Sequence, residues 1–188
     1  MPSPSKRDQI VDKALQLFYR QGFNGTGVDT IITEAGVSKK TLYSHFRTKD
    51  ELILATLRKR DELFRNNLMR ETERRTSDPR ERLFAVFDFL TGWFHEEGFS
   101  GCMFINAAAE FAEPSHPSHK ISAEHKRLVE DYIRQQAELA GAKDPAALAG
   151  ELNLLMEGAI VYAYVMGDKE AAARAKQMAR PFVERQLA

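Results

Sequence analysis

Apolar residues recur every three or four positions along nearly the whole chain of 188 residues, which is the period of an α-helix with one buried face. No segment alternates apolar and polar residues for long enough to predict a β-strand. We therefore expect an all-α fold of about nine helices whose apolar stripes pack into a core.

Capping residues, glycines and prolines give the expected helix boundaries. The first helix is expected over about residues 6–21, from a Ser5–Asp8 cap to Gly22. Six more helices are expected after residue 48. The first begins at a Thr48–Glu51 capping box and ends at Asp78-Pro79, the second continues from there to near Gly98, and the third covers about residues 102–111. The fourth follows a loop at Glu113–His119 and ends at Gly141, the fifth begins at Asp144-Pro145, and the sixth begins at about Asp168, with a kink or a reset final turn at Pro181.

Residues 28–46 predict two short helices joined by the turn Ala35-Gly36-Val37-Ser38, which is the outline of a helix-turn-helix. Gly36 permits the sharp turn, and the Ser38 hydroxyl can cap the second helix. Apolar residues of both helices have the spacing to pack against each other. The polar residues of the second helix are then left outside or along its edges: Lys39, Lys40, Thr41, Tyr43, Ser44 and His45.

The outward side of this second helix is suited to DNA. Its lysines attract phosphate, and its hydroxyl, phenol and imidazole groups can reach base edges or backbone oxygens in the major groove. Lys49 lies in the first turn of the next helix, beside backbone amides where another phosphate can sit. The alternative interpretation is an ordinary polar surface on a small helical bundle.

The charge of the chain is distributed unevenly. Its 27 Lys and Arg residues balance 27 Asp and Glu residues, which argues against a protein that coats nucleic acid over its whole surface. Residues 1–49 hold eight basic and four acidic side chains, so the rest of the chain is correspondingly acidic. The asymmetry favours contact of the amino-terminal region alone with a polyanion, although one this modest also arises by chance.

A series of short motifs falls in one order and at one spacing over the first quarter of the chain. They are Arg7-Asp8-Gln9-Ile10-Val11, Ala14-Leu15-Gln16-Leu17-Phe18, Gly22-Phe23 with Thr26 and Val28, Ala35-Gly36-Val37-Ser38, Thr41-Leu42-Tyr43-Ser44-His45-Phe46 and Lys49-Asp50-Glu51-Leu52. This series resembles the DNA-binding domain of the TetR/AcrR family of transcriptional regulators. Three positions depart from the family pattern: Gly27 replaces a Ser or Thr cap, Ile32 a small residue, and Lys40 a frequent glycine.

The resemblance implies an all-helical, two-fold dimer in which a three-helix DNA-binding head carries a larger helical body. We therefore expect a helix-turn-helix DNA-binding domain over residues 1–48 and a ligand-binding and dimerisation domain over residues 49–188. The resemblance places four residues in the recognition helix, two leading into it and one where the next helix meets phosphate: Thr41, Tyr43, Ser44 and His45, then Lys39 and Lys40, then Lys49. Tyr43 is expected to matter most.

The expected function is a ligand-responsive transcriptional regulator, by resemblance a repressor, whose homodimer leaves a near-palindromic operator of double-stranded DNA when a small molecule binds. An activator stays possible.

A two-fold dimer presents two recognition helices to successive major grooves about 34–36 Å apart. Small residues on the last two helices suit a dimer interface or the core of a monomer equally: Ala159, Ala163, Ala172, Ala175 and Ala179. The long helix from Lys49 would carry a change in the separation of the heads.

Cys102, Asn106 and Glu110 are spaced by four residues, so they form one polar stripe on an otherwise apolar helix. Such a stripe can line a ligand cavity, or it can face water or satisfy a helix end. Aromatic residues expected nearby would suit an aromatic or amphipathic effector: Phe87, Trp93 and Tyr162. Cys102 is interpreted either as a redox or electrophile sensor or as inert packing.

Metal binding and catalysis have weaker support. His116, His119 and His125 could bind a metal, but no carboxylate has convincing ligand spacing, so we expect solvated loop histidines and no metal or cofactor. An enzyme would use Glu110 with His95 or His125, yet no nucleophile-elbow, zinc-protease, phosphate-loop or dinucleotide signature is present. A helical adaptor without DNA binding is the other alternative.

The expected location is the cytoplasm. The amino terminus lacks the apolar stretch of a secretory signal, and a single cysteine, Cys102, cannot form an internal disulfide. The longest stretch without a charged or strongly polar side chain, Gly158 to Gly167, is about half of the ~20 residues that a membrane span needs. We therefore expect no membrane contact.

Overall fold

The structure, a computed structural model, describes residues 5–188. The described residues form nine helices and no strand, which confirms the all-α prediction. The helices are α1 (Lys6–Gln21), α2 (Val28–Ala35), α3 (Lys39–His45), α4 (Lys49–Arg75), α5 (Pro79–Phe94), α6 (Met103–Glu110), α7 (Pro117–Leu139), α8 (Pro145–Val165) and α9 (Ala171–Leu187). Residues 1–4, on which the expectation about a secretory signal partly rests, lie outside the described part.

Local capping explains why the early helices begin where the sequence predicts. The Ser5 hydroxyl accepts the N–H of Asp8 at 3.1 Å, at the start of α1. The Thr48 hydroxyl accepts the N–H of Glu51 at 3.1 Å, at the start of α4. Each bond satisfies an amide that has no partner inside the helix.

The loop predicted over Glu113–His119 is shorter than expected, because α7 already begins at Pro117. Proline fits a first helical turn, since its missing N–H would have no acceptor there. The ring nitrogen Nδ1 of His116 accepts the N–H of Ser118 at 3.2 Å and caps this start. The two prolines of this segment indicated a loop, although the second one starts a helix.

The chain divides into two compact units, and α4 and α7 contribute residues to both. The first unit comprises Met1–Leu63, of which residues 5–63 are described, and Met103–His125. Within it α1 contacts α2 and α3, and α2 contacts α3. Its core contains large apolar side chains that are at most 2% exposed: Ile10, Phe18, Phe23, Ile31 and Leu42. This unit holds the predicted helix-turn-helix.

The second unit comprises Phe64–Cys102 and Lys126–Ala188, and its helices α5, α8 and α9 pack against one another. The small residues that the sequence singled out on α8 and α9 are at most 5% exposed: Ala159, Ala163, Ala172, Ala175 and Ala179. They therefore serve the contact between these two helices inside the unit.

Helix α8 is long and apolar enough, by length and composition, to cross a membrane. Its sequence does not contain an uninterrupted apolar run of that length, because Glu151 and Glu157 lie within it. Packing against α5 and α9 gives its apolar residues a place in the core of the second unit. The absence of a membrane span stays a prediction.

Candidate functional site

A tight turn joins α2 to α3. Gly36 adopts a left-handed conformation, with φ 60° and ψ 40°, and the N–H of Val37 donates to the carbonyl of Ile32 at 3.2 Å. The Ser38 hydroxyl then accepts the N–H of Thr41 at 3.0 Å and opens α3. The turn and the cap predicted from the sequence are both confirmed.

The two departures from the family pattern near α2 have small structural effects. Gly27 precedes α2 and offers no side chain to cap it, but its carbonyl accepts the N–H of Ile31 at 3.3 Å. Glycine is itself a tolerated capping residue. Ile32 is half-buried between the helices.

The two sides of α3 differ sharply in exposure. Leu42 is 1% exposed and packs in the core of the first unit, whereas Tyr43, its neighbour in sequence, is 42% exposed. The predicted DNA-contact residues of α3 are exposed, apart from a half-buried Thr41: Lys39, Lys40, Tyr43, Ser44 and His45. Lys49, in α4, is half-buried. Helix α3 therefore presents a continuous polar surface.

Three of these residues already have partners within the first unit. The ammonium of Lys39 lies 3.5 Å from a carboxylate oxygen of Asp29, and both side chains are exposed. The Ser44 hydroxyl donates to the carbonyl of Thr41 at 2.7 Å. The hydroxyls of Thr41 and Ser38 lie 2.8 Å apart.

By contrast, Lys40, Tyr43 and His45 form no side-chain hydrogen bond or ion pair with any described residue. Their polar groups are satisfied by water alone, so a new partner displaces solvent and breaks no intramolecular bond. These three side chains are the groups on α3 that can bind a macromolecule at the lowest cost.

The start of α4 is capped from within the chain. Besides the bond from Glu51 to Thr48, a carboxylate oxygen of Glu51 accepts the N–H of Arg47 at 2.7 Å. The ammonium of Lys49, in the same turn, forms no ion pair among the residues that the structure describes. A phosphate contact at this turn stays a prediction, and the Lys49 ammonium is available to make it.

The six residues predicted to bind a ligand lie in both units. Phe87, Trp93, Cys102 and Tyr162 belong to the second unit, and Asn106 and Glu110 to the first. Phe87 is fully buried, and Tyr162 is 57% exposed. The Trp93 ring meets the rings of Phe64 and Phe99 edge-on, with centroids 5.0 and 5.1 Å away. A ligand-binding role for this set stays a prediction.

Cys102 is 6% exposed, and its thiol lies beside a half-buried ion pair. The Lys126 ammonium donates to Cys102 Sγ at 3.3 Å and to both carboxylate oxygens of Glu157 at 2.6 and 2.7 Å. Burial acts to lower the pKa of Lys126, but the neighbouring Cys102 and Glu157 outweigh burial and raise that pKa above its ordinary value. The interpretations of Cys102 as a sensor and as packing both stay open.

Asn106 is half-buried, and Glu110, the last residue of α6, has its hydrogen-bond partners within the first unit. The Glu110 carboxylate accepts the backbone N–H groups of Phe23 at 2.9 Å and Asn24 at 2.6 Å. These bonds to the α1–α2 turn match neither of the alternatives weighed for the stripe, a ligand cavity or a side chain that faces water or satisfies a helix end.

Two cavities of the second unit each include one residue of the predicted ligand set. A cavity of about 340 Å³ between α8 and α9 is lined by residues that include Leu154, Tyr162, Arg174 and Met178. A cavity of about 250 Å³ beside α5 is lined by residues that include Trp93, Phe89 and Arg70.

The expectation of solvated loop histidines is wrong for His125, which is buried and lies in α7. For His119 the expected loop position is wrong, because His119 also lies in α7. His125 is 3% exposed, stacks on Phe104 with centroids 3.7 Å apart, and places Nδ1 2.8 Å from a carboxylate oxygen of Asp61. Nδ1 of His119 lies 2.9 Å from the carbonyl of Phe111. The three histidines have separate partners, and no described group of three or more His, Cys, Asp or Glu side chains could hold a metal ion.

Sequence reasoning missed an exposed apolar surface on α8 and α9. Its members are between 43% and 75% exposed: Leu154, Val161, Tyr162 and Val165 on α8, Met166 just after α8, and Met178 on α9. The signal was present, because α8 is apolar on more than its buried side. Large apolar side chains exposed together indicate a surface that binds another protein.

Two family models match the chain. One, described as bacterial regulatory proteins of the tetR family, matches residues 10–56. The other, described as a tetracyclin repressor-like C-terminal domain, matches residues 79–179, more than half of the chain. Together they span the helix-turn-helix and most of the body.

Known proteins agree with these matches. The HTH-type transcriptional regulator LmrA of Bacillus subtilis is 30% identical over 162 residues, which cover 82% of this chain and 84% of LmrA. The HTH-type transcriptional activator FasR of Mycolicibacterium smegmatis is 39% identical over 95 residues, which cover 48% of this chain and 42% of FasR. A TetR-family regulator from Streptomyces coelicolor has a crystal structure that matches with a TM-score of 0.89 at 28% identity, covering 97% of this chain and 96% of that one.

Proposed function

The chain belongs to the TetR family of bacterial transcriptional regulators, and from that membership we propose a ligand-responsive DNA-binding repressor that leaves its operator when a small molecule binds. The observation that carries the proposal is the exposed side of α3, where Lys40, Tyr43 and His45 have no partner among the described residues. The family consists of transcriptional regulators and not of enzymes. The comparisons favour neither the enzyme nor the helical adaptor.

The seven predicted residues divide into two roles. Tyr43 and His45, with Thr41 and Ser44, supply groups of the kind that reach base edges and backbone oxygens in the major groove. Lys39, Lys40 and Lys49 supply positive charge for the phosphates on either side. Tyr43 combines the largest exposed side chain of α3 with a hydroxyl, so its loss is expected to cost the most affinity.

The geometry of DNA and the exposed surface on α8 and α9 support a homodimer. One seven-residue helix contacts few base pairs, whereas two copies read both halves of a near-palindromic operator. The exposed apolar residues of α8 and α9, Leu154 and Val165 among them, offer a surface that a second copy would cover. The cavity that Tyr162 lines lies on this same pair of helices.

Release by an effector is proposed as a population shift. A ligand that binds the DNA-incompetent state more tightly than the DNA-competent state lowers operator affinity, and the ratio of its two affinities sets the size of the effect. Helix α4 would carry the conformational change from the effector site to the DNA-binding head. The aromatic cluster around Trp93 supports an aromatic or amphipathic effector. The proposed location is the cytoplasm, with the DNA. The repressor-like description of the matched body domain supports repression, whereas FasR is described as an activator.

The first test measures binding of the purified protein to the DNA upstream of its own gene and to a scrambled duplex, over a salt series. We expect selective binding that weakens steeply as salt rises, because phosphate contacts release counterions. Tyr43→Ala is expected to weaken selective binding by about 10- to 100-fold, the cost of one good contact. Tyr43→Phe keeps the ring and measures the hydroxyl separately.

Equal, weak binding of both duplexes calls for a selection from random duplexes. If the selection also yields no preferred sequence, the regulator proposal fails and the helical adaptor replaces it. Transcription from the bound promoter, with and without the protein, then decides between repression and activation.

A further inference from the structure

A carboxylate of α6 is bonded to the turn that joins α1 to α2. Oε1 of Glu110 accepts the N–H of Phe23 at 2.9 Å, and Oε2 accepts the N–H of Asn24 at 2.6 Å. Hydrogen bonds to an ionised acceptor are about twice as strong as those between neutral groups. One side chain therefore holds two successive amides of a turn that lies more than 80 residues earlier in the chain.

The backbone at Gly22 makes this close approach possible. Its φ is +79°, a conformation that favours glycine, and a Cβ at this position would lie 2.9 Å from Oε1 of Glu110. Any side chain larger than hydrogen would therefore push the carboxylate away. Gly22 thus meets two requirements at once, the turn and the approach of Glu110.

Aromatic packing reinforces the same contact. The ring of Phe111, next to Glu110, lies 5.7 Å from the ring of Phe23, which lies 5.2 Å from that of Phe18 in α1. Phe23 is fully buried. The end of α6 therefore holds the turn by hydrogen bonds and by apolar contact.

The position of Glu110 within its own helix does not explain the residue. Glu110 is the last residue of α6, where a negative side chain interacts unfavourably with the partial negative charge of the helix end. Local helix stability would favour a neutral or basic residue. The bonds to Phe23 and Asn24 are the contacts that account for a carboxylate there.

We propose that Glu110 is a positioning residue for DNA binding, an inference that rests on the proposed function. Helix α1 contacts both α2 and α3, so the α1–α2 turn affects the placement of α3, the helix that presents Tyr43 and His45. Glu110 acts through the backbone of Phe23 and Asn24 and touches no DNA. Its carboxylate keeps the helix-turn-helix in the arrangement that reads an operator.

The test compares Glu110→Gln with Glu124→Gln, which removes the same charge from an exposed position on α7. The glutamine at position 110 keeps one acceptor oxygen and turns an N–H group toward the amide of Asn24. We expect Glu110→Gln to weaken binding of the operator duplex by about tenfold, as for one lost charged hydrogen bond. Binding of the scrambled duplex is expected to stay within about twofold of wild type, as is every value for Glu124→Gln.

Amide hydrogen exchange gives a second readout, because a general loss of stability would speed exchange throughout the protein, whereas loss of the Glu110 contact would speed it at the α1–α2 turn above all. The N–H groups of Phe23 and Asn24 are expected to be protected in the wild-type protein and to exchange faster in Glu110→Gln. If Glu110→Gln does not fold, as judged by helical circular dichroism, Glu110→Asp is measured in the same way, because it keeps the charge but withdraws it by one methylene.

Three outcomes separate the two proposals. Selective operator binding by wild type, lost in the Glu110 variant together with amide protection, supports the positioning role. Operator affinity within about twofold of wild type in the folded Glu110 variant overturns that role and leaves the regulator intact. Failure of wild type to prefer any duplex overturns the regulator, and with it the positioning role.

Discussion

Helix α3 and the predicted stripe of Cys102, Asn106 and Glu110 both carry polar side chains, and the structure gives them different surroundings. Cys102 lies just before α6, outside the helix that carries Asn106 and Glu110, so the expected three-residue stripe on one helix is wrong for Cys102. On α3, Tyr43 is 42% exposed and has no hydrogen-bond partner among the described residues. In the stripe, Glu110 accepts two backbone amides, and the thiol of Cys102 accepts an N–H of Lys126. Polar groups satisfied inside the protein serve the fold, whereas polar groups left to water are available to a partner.

The largest effect that tests this comparison is expected at two glycines that end helices, Gly22 before the α1–α2 turn and Gly36 before α3. Both have positive φ, of +79° and +60°, but a Cβ would meet Glu110 at Gly22 and nothing within 4 Å at Gly36. Gly36→Ala is therefore expected to cost about 1–2 kcal/mol of unfolding free energy, from backbone strain alone. Gly22→Ala is expected to cost about 1–3 kcal/mol more, for two reasons: with ψ 166° the backbone of Gly22 lies in a region that is essentially limited to glycine, and the added Cβ displaces the carboxylate from two amides.

Urea denaturation of single and double variants separates strain from the lost contact. In a Glu110→Ala background, the extra cost of Gly22→Ala is expected to fall by about 1 kcal/mol, since the carboxylate is no longer there to displace. The cost of Gly36→Ala is expected to be unchanged in that background. If the costs of Gly22→Ala and Glu110→Ala add fully, Glu110 does not constrain the turn. The polar end of α6 would then be as free of structural partners as the open side of α3.

The same contrast explains which features the sequence could predict. The turn at Gly36 and the cap from Ser38 to Thr41 join residues at most five positions apart, so their pattern is visible in the sequence. The partners of Glu110 lie 87 and 86 residues away. No local spacing encodes such a pair, because only the packed fold brings the two segments together.

The histidines of α7 show the same limit. His125 is paired with Asp61, 64 residues earlier, and its burial could not be inferred from the prolines that precede it. The exposed apolar residues on α8 could be inferred in part, since a helix that is apolar on several sides must bury them or bind a partner. Which of its sides stays open is decided by where α5 and α9 pack.

A smaller effect is expected at the other end of the stripe, where Lys126 contacts Cys102 and Glu157. The pKa of Lys126 is raised above the ordinary value of 10.5, so folding stabilises the protonated form. The stabilisation is fully present below pH 10.5 and is lost as the pH rises through the raised pKa. The difference in melting temperature between wild type and Lys126→Met is therefore expected to be constant near neutral pH and to shrink above about pH 10.5.

The control for this pH series is Lys120→Met, which removes an exposed lysine of α7. The difference in melting temperature between wild type and Lys120→Met is expected to stay constant over the same pH range. Burial also raises the pKa of Tyr132, so wild type itself loses stability in alkali, and the comparison with the variants removes that contribution. If the difference in melting temperature between wild type and Lys126→Met does not change with pH, Cys102 and Glu157 do not stabilise the Lys126 ammonium.

The smallest effect sharpens the comparison within the proposed interface itself, between Tyr43 and Lys49. Each phosphate contact contributes about 0.9 to the slope of log affinity against log salt, so Lys49→Ala is expected to lower that slope by about 1 and to weaken operator and scrambled duplexes alike. Tyr43→Ala is expected to leave the slope nearly unchanged while it removes selectivity. Lys120→Ala, which removes the same charge from an exposed position on α7, serves as the control. If Lys49→Ala and Lys120→Ala change the slope equally, DNA binding depends only on the net charge of the protein. The start of α4 would then not be part of the interface.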